Sequence, residues 1–104
     1  MYMFIYVTAG DEEEARKIAK RLLEKKLVAC VNMFPINSMY WWEGKIEEAK
    51  EVGMILKTNA EKFKEVRKAV RELHSYEVPC ICAFSIDDGL REYLEWIDSS
   101  LAEG

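Results

Sequence analysis

The sequence predicts an α+β domain of the ferredoxin-like type. That means a βαββαβ order, a four-stranded antiparallel sheet, a long β2-β3 hairpin and a C-terminal helix. Three observations carry the prediction. Strand-like and helix-like apolar patterns alternate in that order along the chain. The stretch Tyr40-Trp41-Trp42-Glu43-Gly44-Lys45 reads as a hairpin tip between two long arms. The chain has 104 residues, half of them hydrophobic and a third charged, which suits one globular domain over residues 1–104.

Met3–Thr8 reads as the first strand. Asp11 suits an N-cap, with Glu14 three residues on in a capping-box pattern. Ala15, Ile18, Ala19, Leu22 and Leu23 then recur at helical spacing, and Lys25 and Lys26 suit the negative end of the helix dipole. The first hairpin arm is expected over Leu27–Phe34, with a kink at Pro35. Gly44 supplies the positive φ of a tight turn, and the second arm runs from Lys45 to Thr58. Thr58 with Glu61 repeats the capping-box pattern ahead of a helix presenting Phe63, Val66, Val70 and Leu73. His74–Pro79 is a loop, and Cys80–Ile86 is the fourth strand. Asp87-Asp88-Gly89 breaks it, and Leu90, Tyr93, Leu94, Ile97 and Leu101 make a last amphipathic helix.

Two features call for self-association. The second arm would extend roughly 45 Å at ~3.3 Å per residue, far beyond ordinary strands. Its tip carries Met39, Tyr40, Trp41 and Trp42, and Trp41 and Trp42 point to opposite sides of the ribbon. Another chain is the natural cover, with Tyr40, Trp41 and Trp42 as its anchors. The first and fourth strands are apolar on both sides, while both main helices fall on one face. The helix-free face therefore needs a cover, and a partner sheet is the simplest.

Net charge is −4, which disfavours a nucleic-acid surface. No apolar run approaches the ~20 residues that span a bilayer, and Met1–Thr8 lacks the basic leader of a signal peptide. No membrane partner is expected. Three cysteines without framework spacing suggest reduced thiols and a cytoplasmic setting.

There is no Walker loop, no GxGxxG and no CxxC. His74, the one histidine, sits past a helix end near Tyr76. It is a candidate metal ligand, against the commoner role of a helix-terminal histidine. Cys80 and Cys82 share one side of a strand. A soft-metal pair is one reading, and packing is the commoner one. Cys30 lies in the apolar Leu27–Asn32 run, where packing is again the default. Nucleophilic catalysis would need a base such as His74 beside it. Lys57 could steer an anion, although exposed lysines are commonplace. No catalytic constellation emerges, so the expectation is a protein that is not an enzyme.

Three blocks together resemble the CutA divalent-cation tolerance family. They are Leu27-Val28-Ala29-Cys30-Val31-Asn32, Tyr40–Glu48 with Glu51-Val52, and His74-x-Tyr76-x-Val78-Pro79. Met54–Thr58 and Tyr93-Leu94-x-Trp96-Ile97 agree with it. The resemblance implies a cytoplasmic homotrimer linked to copper and other divalent metal ions. No cofactor is required, and Cu(II) or another divalent cation is the ion implied. Structural cousins of the PII type give an alternative, a small-molecule sensor with its ligand in an inter-subunit cleft. Cys30, Lys57 and Tyr76 are the candidate cleft residues. Two departures bear on metal binding. Ser75 stands where the family has proline. A copper site described in the family uses a cysteine and two adjacent histidines, and the matching positions here are Val7, Leu73 and His74. One ligand of the three remains.

Overall fold

The computed structural model describes residues 1–102. Strand β1 (Tyr2–Ala9) leads to helix α1 (Glu12–Glu24), strands β2 (Cys30–Trp42) and β3 (Lys45–Asn59), helix α2 (Phe63–Leu73), strand β4 (Ile81–Ser85) and helix α3 (Arg91–Leu101). The sheet order is β2-β3-β1-β4, and every neighbouring pair is antiparallel. This is the ferredoxin-like arrangement.

Strict alternation along β1 sends Met3, Ile5, Val7 and Ala9 to one face, where Met54 and Leu56 of β3 join them. Ala15, Ile18 and Leu22 of α1 and Val66, Ala69 and Val70 of α2 close over that face as the main core. The opposite face carries Tyr2, Phe4 and Tyr6, with Ile55 and Lys57 across from them on β3 and Cys82 and Phe84 on β4.

That second face is not free of helix, as the sequence had suggested. Helix α3 lies across its Tyr2–Phe4 end. Tyr2 Oη donates to Asp98 Oδ2 at 2.5 Å, and Lys57 Nζ sits 6.0 Å from the Tyr93 ring. Ile97 and Leu101 are buried there, apart from the main core. The amphipathic stripe of α3 had no assigned destination in the sequence, and this face supplies it. The Cys82–Phe84 side remains open, with Phe84 58% exposed.

The hairpin matches expectation in length and differs in detail. Leu27 and Val28 are core residues rather than strand residues. Lys26 adopts φ 57°, and α1 ends in a Schellman motif: Leu27 N–H donates to Leu22 O and Lys26 N–H to Leu23 O, both at 3.0 Å. Leu27 therefore serves the helix end, and pairing begins at Cys30. Pro35 does not interrupt β2. It sits in register opposite Val52 on an edge strand, where a missing N–H costs little. Glu43 and Gly44 both take positive φ, 49° and 77°, as a two-residue primed turn requires.

Asp11 caps α1 as expected, accepting from Glu14 N–H at 2.8 Å. The Glu14 side chain does not complete the capping box and reaches elsewhere. The second capping box does not form. Thr58 stays in β3, fully buried, and its hydroxyl donates to Leu27 O at 2.8 Å. A short 3-10 turn over Ala60–Lys62 then leads into α2. Strand β4 is shorter at both ends than the Cys80–Ile86 run suggested.

Only residues 52–59 of β3 pair with β1. The rest of the hairpin projects as a two-stranded ribbon, and the longest dimension of the molecule is 46 Å. The radius of gyration, 14.4 Å, exceeds the ~13 Å of a compact chain of this length.

Candidate functional site

The loop that begins at His74 ties three elements together. His74 caps α2, its N–H donating to Val70 O at 2.9 Å. Its ring is buried. Nδ1 accepts the Tyr76 N–H at 3.1 Å, which leaves the proton on Nε2 to donate to Thr8 O at 2.7 Å. Both ring nitrogens thus have backbone partners, and as placed the ring offers no free lone pair to a cation. The Tyr76 ring packs against the imidazole with centroids 4.7 Å apart.

Tyr76 Oη donates to Glu51 Oε2 at 2.7 Å. Burial pushes the phenol above its ordinary range, and the Glu51 carboxylate adds to the rise. Glu14 forms the third tie. Its Oε1 accepts from Gly10 N–H at 2.9 Å and its Oε2 from Ser75 N–H at 2.8 Å. Burial works to raise the Glu14 carboxyl, but hydrogen bonds from Ser75 and Gly10 outweigh it and hold the group below its usual value. The loop is therefore fastened to β1 through Thr8, to α1 through Glu14 and to β3 through Glu51.

Cys30 and Lys57 meet at the other end of the sheet as cross-strand partners. Lys57 Nζ approaches Cys30 Sγ to 3.8 Å, bonds Asn32 Oδ1, and lies 5.6 Å from the Phe4 ring. Glu51, which anchors Tyr76, is six residues away on β3, or about 20 Å along the strand. Within one chain, Cys30 and Lys57 form one cluster and Tyr76 belongs to another. The hydrogen-bond partners of His74 include no thiol, so the chain does not pair Cys30 with a histidine base.

Cys80 and Cys82 are not core residues. Cys80, just ahead of β4, is half-buried, and Cys82 within β4 is exposed. Among the described residues, no three His, Cys, Asp or Glu side chains gather into a metal centre. The sequence reading missed Glu14 and Glu51 as site residues. The spacing Asp11-x-x-Glu14 pointed to a local cap and concealed a bond across 61 positions to Ser75.

The hairpin tip places Met39, Trp41 and Ile46 on one side of the ribbon and Tyr40 and Trp42 on the other. Trp41 is 74% exposed and Trp42 60%.

These features define a ferredoxin-like protein with a projecting, aromatic-tipped ribbon and a histidine-centred loop. Residues 3–100 match the model of the family described as CutA1 divalent ion tolerance protein. The divalent-cation tolerance protein CutA of Archaeoglobus fulgidus is 62% identical over 101 residues, covering 97% of this chain and 99% of that protein. Its counterpart from Thermococcus kodakarensis is 50% identical over 95 residues, covering 91% of each. A solved structure, described as the periplasmic divalent cation tolerance protein CutA from Archaeoglobus fulgidus, superposes with a TM-score of 0.97, covering 98% of this chain and all of that one. The chain belongs to the CutA1 divalent ion tolerance family.

Proposed function

We propose that this protein is a non-enzymatic cytoplasmic homotrimer that serves the response to copper and other divalent metal ions. The observation that carries the reading is the hairpin tip, where two tryptophans on opposite sides of a two-stranded ribbon stand in water. A ribbon of this kind is marginal alone, and one protomer cannot bury both sides. The number three is our reading from the family resemblance, and the exposed ribbon by itself supports only association. Free cysteines at 30, 80 and 82 suit a reducing compartment.

Direct binding of a divalent ion at His74 is weak on this reading. The ion must displace the Thr8 contact or the Tyr76 contact, and the two further ligands of the family's copper site are replaced by Val7 and Leu73. The test is light scattering on a size-exclusion column together with Cu(II) titration by calorimetry. A trimer mass and a weak Cu(II) heat support the reading. The mass of a single chain, or tight stoichiometric Cu(II) binding, overturns it.

A further inference from the structure

We propose that Asp88-Gly89, in the loop between β4 and α3, is a site of self-modification: the Gly89 amide nitrogen closes on the Asp88 carboxyl to form a succinimide, which water opens to isoaspartate. The proposal goes beyond the reading above and uses none of its residues. The reaction lies within one loop, so it needs neither an open sheet face nor a partner.

Gly89 is the only glycine of the chain that follows an Asp or an Asn. Without a Cβ on residue 89, nothing on that residue obstructs ring closure. Its N–H donates to Asp88 Oδ1 at 2.8 Å. In a planar amide, the new N–Cγ bond takes the direction the N–H bond had. The hydrogen bond therefore already aims the nitrogen at the carboxyl group, and such prior alignment is what speeds an intramolecular reaction. Other Asp and Asn residues are held away from this arrangement. Ala60 N–H, which follows Asn59, donates to Met1 O at 2.7 Å. Asn32 and Asn37 lie within β2, and the Asp98 carboxylate accepts from Tyr2.

Tyr2 also holds the loop. Ile86 N–H donates to Tyr2 O at 3.0 Å ahead of it, and Tyr2 Oη donates to Asp98 beyond it. Residues 87–90 between these ties are exposed and belong to no helix or strand. The pair is thus kept in place while water reaches the ring.

Closure forms one N–Cγ bond. The Gly89 nitrogen gives up its proton, the Asp88 carboxyl in its acid form gives up its hydroxyl, and the two leave as one water. Water then adds to either imide carbonyl. Addition at Cγ restores aspartate. Addition at the main-chain carbonyl carbon breaks its bond to nitrogen and leaves a chain one methylene longer, with a carboxylate at the surface. Nothing is oxidised or reduced. That carboxylate has the chemistry a carboxyl methyltransferase with a sulfonium methyl donor accepts.

The experiment incubates the native, assembled protein in heavy-oxygen water at mildly acidic pH. Digestion, peptide mass spectrometry and enzymatic methylation of isoaspartyl peptides follow. Each passage through the imide places one heavy oxygen on residue 88, whichever way the ring opens. The native chain should gain heavy oxygen and methyl-accepting isoaspartate in the Asp88 peptide, and faster than the same chain unfolded in guanidinium chloride. Asp88→Glu keeps the charge, forms no five-membered imide and should lose both signals. Gly89 lacks a positive φ, and a Cβ there would meet Leu94 Cδ2 at an ordinary 3.4 Å. Gly89→Ala should therefore fold and lose most of both signals. Asp88→Asn should convert faster than the native chain, since ammonia leaves in place of water. No heavy oxygen on residue 88 of the native chain overturns the proposal. So does equal uptake in Asp88→Glu, or a native rate below that of the unfolded chain. The column mass and the Cu(II) titration do not involve this loop, so either reading can fail without the other.

Discussion

The ring of Phe34 lies directly over Gly53 on the neighbouring strand. A Cβ at Gly53 would stand 2.6 Å from the ring's Cε2 and 2.9 Å from its Cζ. Both distances are inside van der Waals contact, so the ring occupies the space a side chain would take. Gly53→Ala should destabilise the protein by about 1–3 kcal/mol through overpacking. Phe34→Ala should remove most of that penalty. A double-mutant cycle by chemical denaturation measures the coupling, and additive effects would show that the ring moves aside freely.

Glu14 gives the protein an acid-sensitive tie. Its folded pKa lies below the ordinary 4.5, because hydrogen bonds from Ser75 and Gly10 outweigh burial. A depressed carboxyl contributes its full stability above the unfolded value and loses it as pH falls through the folded one. Melting temperature should therefore fall with acidification below about pH 4.5. Glu14→Gln should lower stability at neutral pH and flatten that acid limb. An unchanged limb in the variant would assign the acid response to other groups.

Trp41→Ala and Trp42→Ala should each reduce assembly, because each aromatic removes about 150–250 Å² of apolar surface from water when covered. The expected result on a sizing column is a shift toward single-chain mass in each variant, larger in the double variant. If both keep the native mass and melting temperature, the ribbon tip is not the anchor.

His74→Ala should lower stability by about 1–3 kcal/mol, since the Thr8 carbonyl and the Tyr76 N–H lose their partner together. Any Cu(II) heat carried by the ring should vanish as well. Thermal melting and calorimetry on the same sample separate the two effects. A variant with native melting temperature would show that the loop is held by Glu14 and Glu51 alone.

Lys26 holds a left-handed conformation with φ 57° at the end of α1, a position where glycine is the usual occupant. Lys26→Gly should raise stability by up to about 1 kcal/mol, read as a higher denaturation midpoint with an unchanged slope. A lower midpoint would mean that the extra freedom of glycine in the unfolded chain outweighs the relief of strain.

Much of the architecture was legible because periodicity reports burial. The alternation in β1 and the stripe of α1 set the core face, and the length of the arms announced the ribbon. What escaped were contacts made at long range. Leu27 looked like a strand residue because it is apolar and precedes a strand, yet it closes the Schellman motif at the end of α1. Thr58 looked like a cap, and its hydroxyl instead serves a carbonyl 31 residues earlier. His74 stood out in the sequence as the one histidine. Its chemistry depends on Thr8 and Tyr76, and the Thr8 contact lies 66 residues away with no trace in local spacing.

The bond from Tyr2 to Asp98 spans 96 positions and ties the start of β1 to α3. Loosening α3 from the sheet therefore frees the first residues of β1 and uncovers the Tyr2–Phe4 end of the second face in one step. The two distant ends of the described chain share one local opening.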